Sequence, residues 1–143
     1  MEEKNIKKLK VFRDERGILF EALRKDDELF EGRFGQIVVS ESKTGIIRAW
    51  HMHEKQTDYV CCVKGKIKFC IAEEKKGKVE VKEHFIGEDN LALIKVPAGL
   101  WHGYKVLGKE NAIVLYVMDK VYNSEKPDEK RKEQNAFGKE AWE

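Results

Sequence analysis

The sequence predicts an all-β protein, a single small sandwich or barrel with one apolar interior. Short apolar segments recur along the 143 residues at the spacing of successive strands, each bounded by glycine or a charged cluster. Apolar repeats at helical spacing are scarce. Where alternation is clearest, Ile67, Phe69 and Ile71 interleave with Lys66, Lys68 and Cys70, the pattern of a strand with one wet face.

In order, strands are expected at Leu9 to Phe12, Ile18 to Leu23, Gly35 to Ser40, Ile46 to His53 and Tyr59 to Val63. They continue at Ile67 to Ala72, Val79 to Phe85, Leu91 to Val96, His102 to Val106 and Ala112 to Met118. Lys64-Gly65 and the stretch from Glu74 to Lys78, with Gly77, read as hairpin turns. AIVLYVM, from Ala112 to Met118, is apolar on both faces and belongs at the centre of a sheet or at a subunit contact. From Asn123 the composition turns polar, so a core over about 9–122 is followed by a tail over 123–143, a surface segment or short helix pinned by Phe137 and Trp142. The apolar content of 41% fills one core, and the reading is one domain over 1–143.

Charge argues against nucleic acid as a partner. The 28 Lys and Arg nearly balance 26 Asp and Glu, and the two signs are interspersed rather than gathered in a basic stripe. Cys61, Cys62 and Cys70 are odd in number and sit in apolar runs, which favours small buried thiols in a reducing compartment. The start MEEKNIKKLK leads into no apolar signal segment, and no run of about eighteen apolar residues follows. The expectation is a soluble cytoplasmic protein with no membrane role.

The chemistry concentrates in GIIRAWHMHEKQTDYVCCVKG, from Gly45 to Gly65, and VPAGLWHGY, from Val96 to Tyr104. Residues two apart on a strand share a face, so His51 and His53 project together, and Asp58 joins them if a bend follows. Pro97-Ala98-Gly99 reads as a tight turn that delivers His102 to the same place, while His84 reads as structural. Such a cluster moves protons or holds a metal. Arg48 and His51, three apart, lie on opposite faces of a regular strand and share a pocket only if the strand bulges near Ala49.

These two segments resemble the two motifs of the cupin superfamily, through Gly45, His51, His53, Asp58 and Gly65, then Pro97, Gly99 and His102; Leu91 and Val106 replace the usual glycine and asparagine of the second. The resemblance implies a cupin-type jelly-roll β-barrel with an internal pocket. A narrower one covers most of the chain, which looks like a short member of the dTDP-4-dehydrorhamnose 3,5-epimerase family. It is carried by Asp14-Glu15-Arg16-Gly17 with Phe20-Glu21, by Gln36 with Ser40 and Ser42, by GIIRAWH, PAGLWHGY and LYVMDKVY, and by PDEKR with the terminal Trp142-Glu143. It implies His51 as catalytic base and Tyr116 as acid. It further implies Arg16 and Arg48 as phosphate or substrate contacts, with Glu21, Gln36, Asp58, His102 and Tyr122 completing the substrate site. A homodimer paired through its N-terminal strands is implied too, acting on a nucleotide-linked sugar destined for surface polysaccharide.

Proton transfer next to a carbonyl needs these residue types. A 4-keto group acidifies its neighbouring carbons, a histidine with a pKa of about 6.5 removes a proton, and a tyrosine returns one to the other face. No cofactor or metal is required, because the substrate's own carbonyl stores the charge as an enolate, which needs a donor or cation facing it. Asp58 stands where the family has a lysine, and Asn135 and Ala136 stand near the place of its acidic pair, leaving His51 with no assigned partner. Two alternatives stay open: a metal-dependent cupin using His51, His53, Asp58 and His102, and a non-catalytic sugar-nucleotide binder.

Overall fold

The computed structural model describes residues 3–143. One sheet runs in the order β1 (Ile6–Lys8), β9 (Ala92–Val96), β6 (Asp58–Lys64), β11 (Ala112–Met118), β4 (Gln36–Ser42). The second runs β12 (Lys130–Arg131), β5 (Ile47–Met52), β10 (Trp101–Leu107), β7 (Lys66–Lys75), β8 (Lys78–Gly87). A separate hairpin joins β2 (Val11–Asp14) to β3 (Gly17–Phe20). All pairings are antiparallel. From β4 onward the chain passes from one sheet to the other at every connection except the β7–β8 hairpin, so most strands adjacent in sequence lie in opposite sheets. This is the jelly-roll expectation, with the two sheets stacked rather than hydrogen-bonded into a closed cylinder.

Between the sheets Val60, Ile94 and Val114 meet Ile67, Phe69 and Val106, all buried. The alternation of Ile67, Phe69 and Ile71 marks the inward face of β7, as the pattern predicts. β11, apolar on both faces, lies between β6 and β4. Its outward side packs Val117 with Leu9, Leu29, Tyr59 and Leu93 under the N-terminal segment. The hairpin between β7 and β8 turns at Lys76 and Gly77, both at positive φ (51° and 75°), the geometry that matches the twist of paired strands.

The tail does more than cover the surface. Trp50 and Trp142 both donate their indole N–H to the Gln134 carbonyl, at 3.1 and 3.0 Å, and their rings lie 5.0 Å apart. Phe137 packs edge-on against Trp50, and the backbones of Lys132 and Trp50 exchange two hydrogen bonds of 3.1 Å. A polar segment that forms no core of its own is thus held by three aromatic rings on the outer face of the second sheet. It also adds a strand, β12. Neither β12 nor β1 was expected, because both are two or three residues long and rich in lysine or arginine, with too little apolar pattern to register.

The three cysteines are buried and free. Burial raises the pKa of Cys61 to about 11 and of Cys62 and Cys70 to about 12, so they pack as apolar side chains. Among the described residues no helix is long and apolar enough to cross a membrane.

Candidate active site

The site begins with an irregularity between β5 and β10. His102 pairs with His51 and Tyr104 with Arg48, so β5 carries both Ala49 and Trp50 opposite Gly103 alone. The peptide between Ala49 and Trp50 is cis. This extra residue is the bulge that Arg48 and His51 require, and both line a cavity of about 180 Å³ together with Asp58, His102 and Tyr116. Gly103 lets β10 approach it. A Cβ there would lie 2.4 Å from the Ala49 Cβ and 2.7 Å from the Arg48 carbonyl oxygen.

His51 belongs to the second sheet and Tyr116 to the first, so the cavity has one from each wall. Burial lowers the His51 pKa below 6.5, with Arg131 and His53 acting in the same direction against Glu129. His51 is therefore a neutral imidazole near pH 7. Burial pushes the Tyr116 phenol well above 10, so it keeps its proton. Arg48 is held from below: its Nε donates to Ser42 Oγ at 2.6 Å, and the Tyr104 hydroxyl lies 2.8 Å from that same oxygen.

The sequence left His51 without a partner, and the tail supplies one. Glu129 Oε1 lies 3.3 Å from His51 Nδ1 as an ion-pair contact, and that nitrogen makes no hydrogen bond among the described residues. Beside it, Asp128 accepts from the backbone N–H groups of Glu54, Lys55 and Gln56 at 2.8, 2.9 and 3.1 Å. The Asp128 carbonyl meets His53 Nδ1 at 2.6 Å. Neither acid was singled out from the sequence, where PDEKR read as a soluble charge run; only its likeness to the family's short tail hinted at more.

His53, Asp58 and His102 form a second group, their donor atoms all within 4.8 Å of one another. The two Nε2 atoms lie 3.5 and 3.6 Å from Asp58 Oδ2, and Gln56 donates to Oδ1 at 2.7 Å. Two imidazoles and a carboxylate are a donor set that suits a transition metal. Burial alone would lower the His53 pKa, but the hydrogen bond and charge of Asp58 outweigh it and raise the group to about 9. Burial pushes His102 the other way.

Gln36 and Tyr122 lie outside the inner cavity. They line an adjoining cleft of about 520 Å³ that shares His53, Met118 and Glu129 with it and has Lys120, Lys126 and Arg131 in its lining. The Gln36 Oε1 accepts from the backbone N–H of Tyr122 at 3.3 Å. Arg16 and Glu21 are not brought to either space within one chain. They lie on and beside the β2–β3 hairpin, in a separate surface concavity, where Arg16 pairs with Asp14 and Glu21 with Arg24. His84 sits on β8, outside the group formed by the other three histidines.

Comparison with known proteins identifies the family and the fold. Residues 1–138 match the family model described as dTDP-4-dehydrorhamnose 3,5-epimerase. The chain is 40% identical over 129 residues to the spore coat polysaccharide biosynthesis protein SpsL of Bacillus subtilis (strain 168), covering 88% of this chain and 85% of that one. It is 34% identical over 130 residues to the "Probable low-salt glycan biosynthesis epimerase Agl13" of Haloferax volcanii, covering 88% and 83%. The dTDP sugar isomerase structure from Desulfovibrio desulfuricans G20 shares the fold, with a TM-score of 0.83 at 24% identity over 92% of this chain and 85% of that one. By the span of the family match and the identity to these relatives, this chain belongs to the dTDP-4-dehydrorhamnose 3,5-epimerase family of carbohydrate epimerases.

Proposed function

We propose that this protein inverts a carbon next to the carbonyl of a nucleotide-linked 4-keto-6-deoxy sugar in surface polysaccharide or glycan synthesis, with His51 as base and Tyr116 as acid. One observation carries the reading: a neutral imidazole and a protonated phenol line one small cavity from opposite sheets. A sugar ring between the sheets then has a proton acceptor on one face and a proton donor on the other.

Glu129 beside Nδ1 favours the proton on that nitrogen and leaves Nε2 as the base. His51 removes the proton next to the carbonyl, charge passes to the carbonyl oxygen as an enolate, and Tyr116 protonates the opposite face. Removing such a positioned acid or base costs on the order of 10²–10⁴ in rate. Arg48, braced on Ser42, supplies positive charge to the enolate or to a phosphate. The inner cavity is smaller than the roughly 300–1,000 Å³ of clefts that hold drug-sized ligands, which suits one ring. The adjoining cleft, with Tyr122, Lys126 and Arg131, suits the base and diphosphate.

Assembly as a homodimer is part of this reading. β4 ends its sheet and exposes Ile37 and Val39, while among the described residues the β2–β3 hairpin pairs only with itself and exposes Phe12, Ile18 and Leu19. An open edge and an apolar hairpin on one molecule are complementary surfaces for two copies. Docked that way, the hairpin would offer Arg16 and Glu21 to a nucleotide beside Gln36 of the neighbour. The free thiols favour a reducing cytoplasm. Incubation with dTDP-4-keto-6-deoxyglucose in D₂O, followed by NMR, tests the chemistry. Deuterium at C3 or C5 is expected, and its absence would sink the epimerase reading.

A further inference from the structure

Arg131 stands directly across from His51 in the ladder between β12 and β5, where Lys130 pairs with Met52 and Arg131 with His51. Paired residues on adjacent antiparallel strands project to one face, and Glu129, two residues before Arg131, reaches the same place. Glu129 bridges the two. Its Oε1 lies 3.3 Å from His51 Nδ1, while its Oε2 accepts from Arg131 Nε at 3.1 Å and meets Arg131 Nη2 at 3.0 Å.

These three residues also span two spaces. His51 lines the inner cavity, Arg131 the adjoining cleft, and Glu129 both. One carboxylate thus divides its charge between the ring that takes the substrate's proton and a guanidinium in the cleft assigned to the diphosphate. Proton transfer by His51 and Tyr116 leaves that guanidinium unused. Lys130, between Glu129 and Arg131 in sequence, pairs with Glu54 instead and lines neither space.

The Arg131 side chain is 74% exposed, so its pairing with Glu129 is of the kind that water and competing ions weaken. A phosphate competes well. It accepts from both arms of a guanidinium at once, whereas here two guanidinium nitrogens converge on a single carboxylate oxygen. Arg131 opposes positive charge on the His51 ring and Glu129 favours it, so drawing the guanidinium away strengthens the carboxylate's hold. We propose that Arg131 is a positioning residue that couples the substrate's diphosphate to the base: phosphate in the cleft takes the guanidinium from Glu129 and leaves that carboxylate to His51 alone.

The released carboxylate then steadies the imidazolium that forms as His51 removes the proton, and it does so only with a nucleotide-linked sugar in place. The nucleotide thereby contributes to the rate as well as to affinity, as remote parts of a substrate do when their binding energy is used at the reacting centre. That the cleft's ligand is a diphosphate rests on the epimerase reading; the chain from Arg131 through Glu129 to His51 stands on its geometry.

The test labels the histidine rings of the full-length protein with ¹⁵N, assigns the His51 signals by their loss in His51→Gln, and titrates with dTDP. This probe carries the diphosphate without the sugar, so no reaction follows. The His51 signals are expected to move as dTDP binds. Arg131→Gln should bind dTDP about 10-fold or more weakly, the usual worth of a charge-assisted hydrogen bond, and its His51 signals should stay in place even at saturation. Lys130→Gln, which removes a charge from the same strand away from the cleft, should respond as the parent does. Failure of dTDP to bind, His51 signals that stay in place in the parent, or equal movement in saturated Arg131→Gln overturns the coupling. Isotope exchange on dTDP-4-keto-6-deoxyglucose is read separately. A His51 response without exchange supports the coupling while removing the epimerase reading; exchange without that response does the reverse.

Discussion

His51 Nδ1 and Glu129 Oε1 lie 3.3 Å apart although 78 residues separate them in sequence, one coming from β5 and the other from just before β12. The contact exists because Asp128, one residue earlier, is tied to three successive backbone N–H groups following His53. Glu129 raises the His51 pKa against burial, so its removal lowers that pKa further. The base works as the neutral form, and activity is lost as pH falls through its pKa. Glu129→Gln is therefore expected to shift the acid limb of the kcat/KM profile to lower pH while reducing kcat, because the ring loses its orienting charge. An unshifted limb would show that Glu129 does not act on His51.

Tyr116 and His51 should separate into two half-reactions. Tyr116→Phe keeps the base and is expected to wash substrate deuterium into solvent while forming inverted product about 10²-fold or more slowly. His51→Ala should lose both. Parallel NMR and product assays of the two variants decide this, and equal loss of wash-out in both would remove the division of roles.

Gly103→Ala should damage the site from outside the cavity's chemistry. The new methyl meets Ala49 and the Arg48 carbonyl, so the bulge must move. Overpacking of this kind costs about 1–3 kcal/mol, and turnover should fall with it as Arg48 and His51 shift. Thermal unfolding and kcat, measured together, check both.

Trp142→Ala should remove the anchor of the tail. Emptying a buried aromatic site costs about 3–5 kcal/mol, and the indole hydrogen bond to Gln134 goes with it. Because the tail also positions Asp128 and Glu129, activity is expected to fall at temperatures where the jelly roll is still folded. Far-UV circular dichroism and turnover along one temperature ramp would reveal coincident losses if the tail were irrelevant to the site.

The thiols should be inert in the native protein. Burial holds Cys61 near 11 and Cys62 and Cys70 near 12, so at pH 8 almost no thiolate is present. A thiol reagent should label three cysteines only after denaturation; rapid native labelling would contradict their packing.

Much of this protein is written locally. Period-two alternation and turn residues mark ten strands, and the spacing of His51, His53 and His102 marks the pocket, because a strand's faces follow from residue order alone. Tyr116 needed the family likeness, since an aromatic in an apolar strand reads as core. The tertiary structure decided the rest through contacts between distant segments. It set Glu129 against His51 and Asp128 against His53, and it bulged β5 so that Arg48 and His51 share a cavity. It also set the Nε2 atoms of His53 and His102 against one carboxylate oxygen of Asp58. A charged tail carries no periodic signal of what it will touch; aromatic packing on Trp50 chooses its path, and that choice brings the acids to the site.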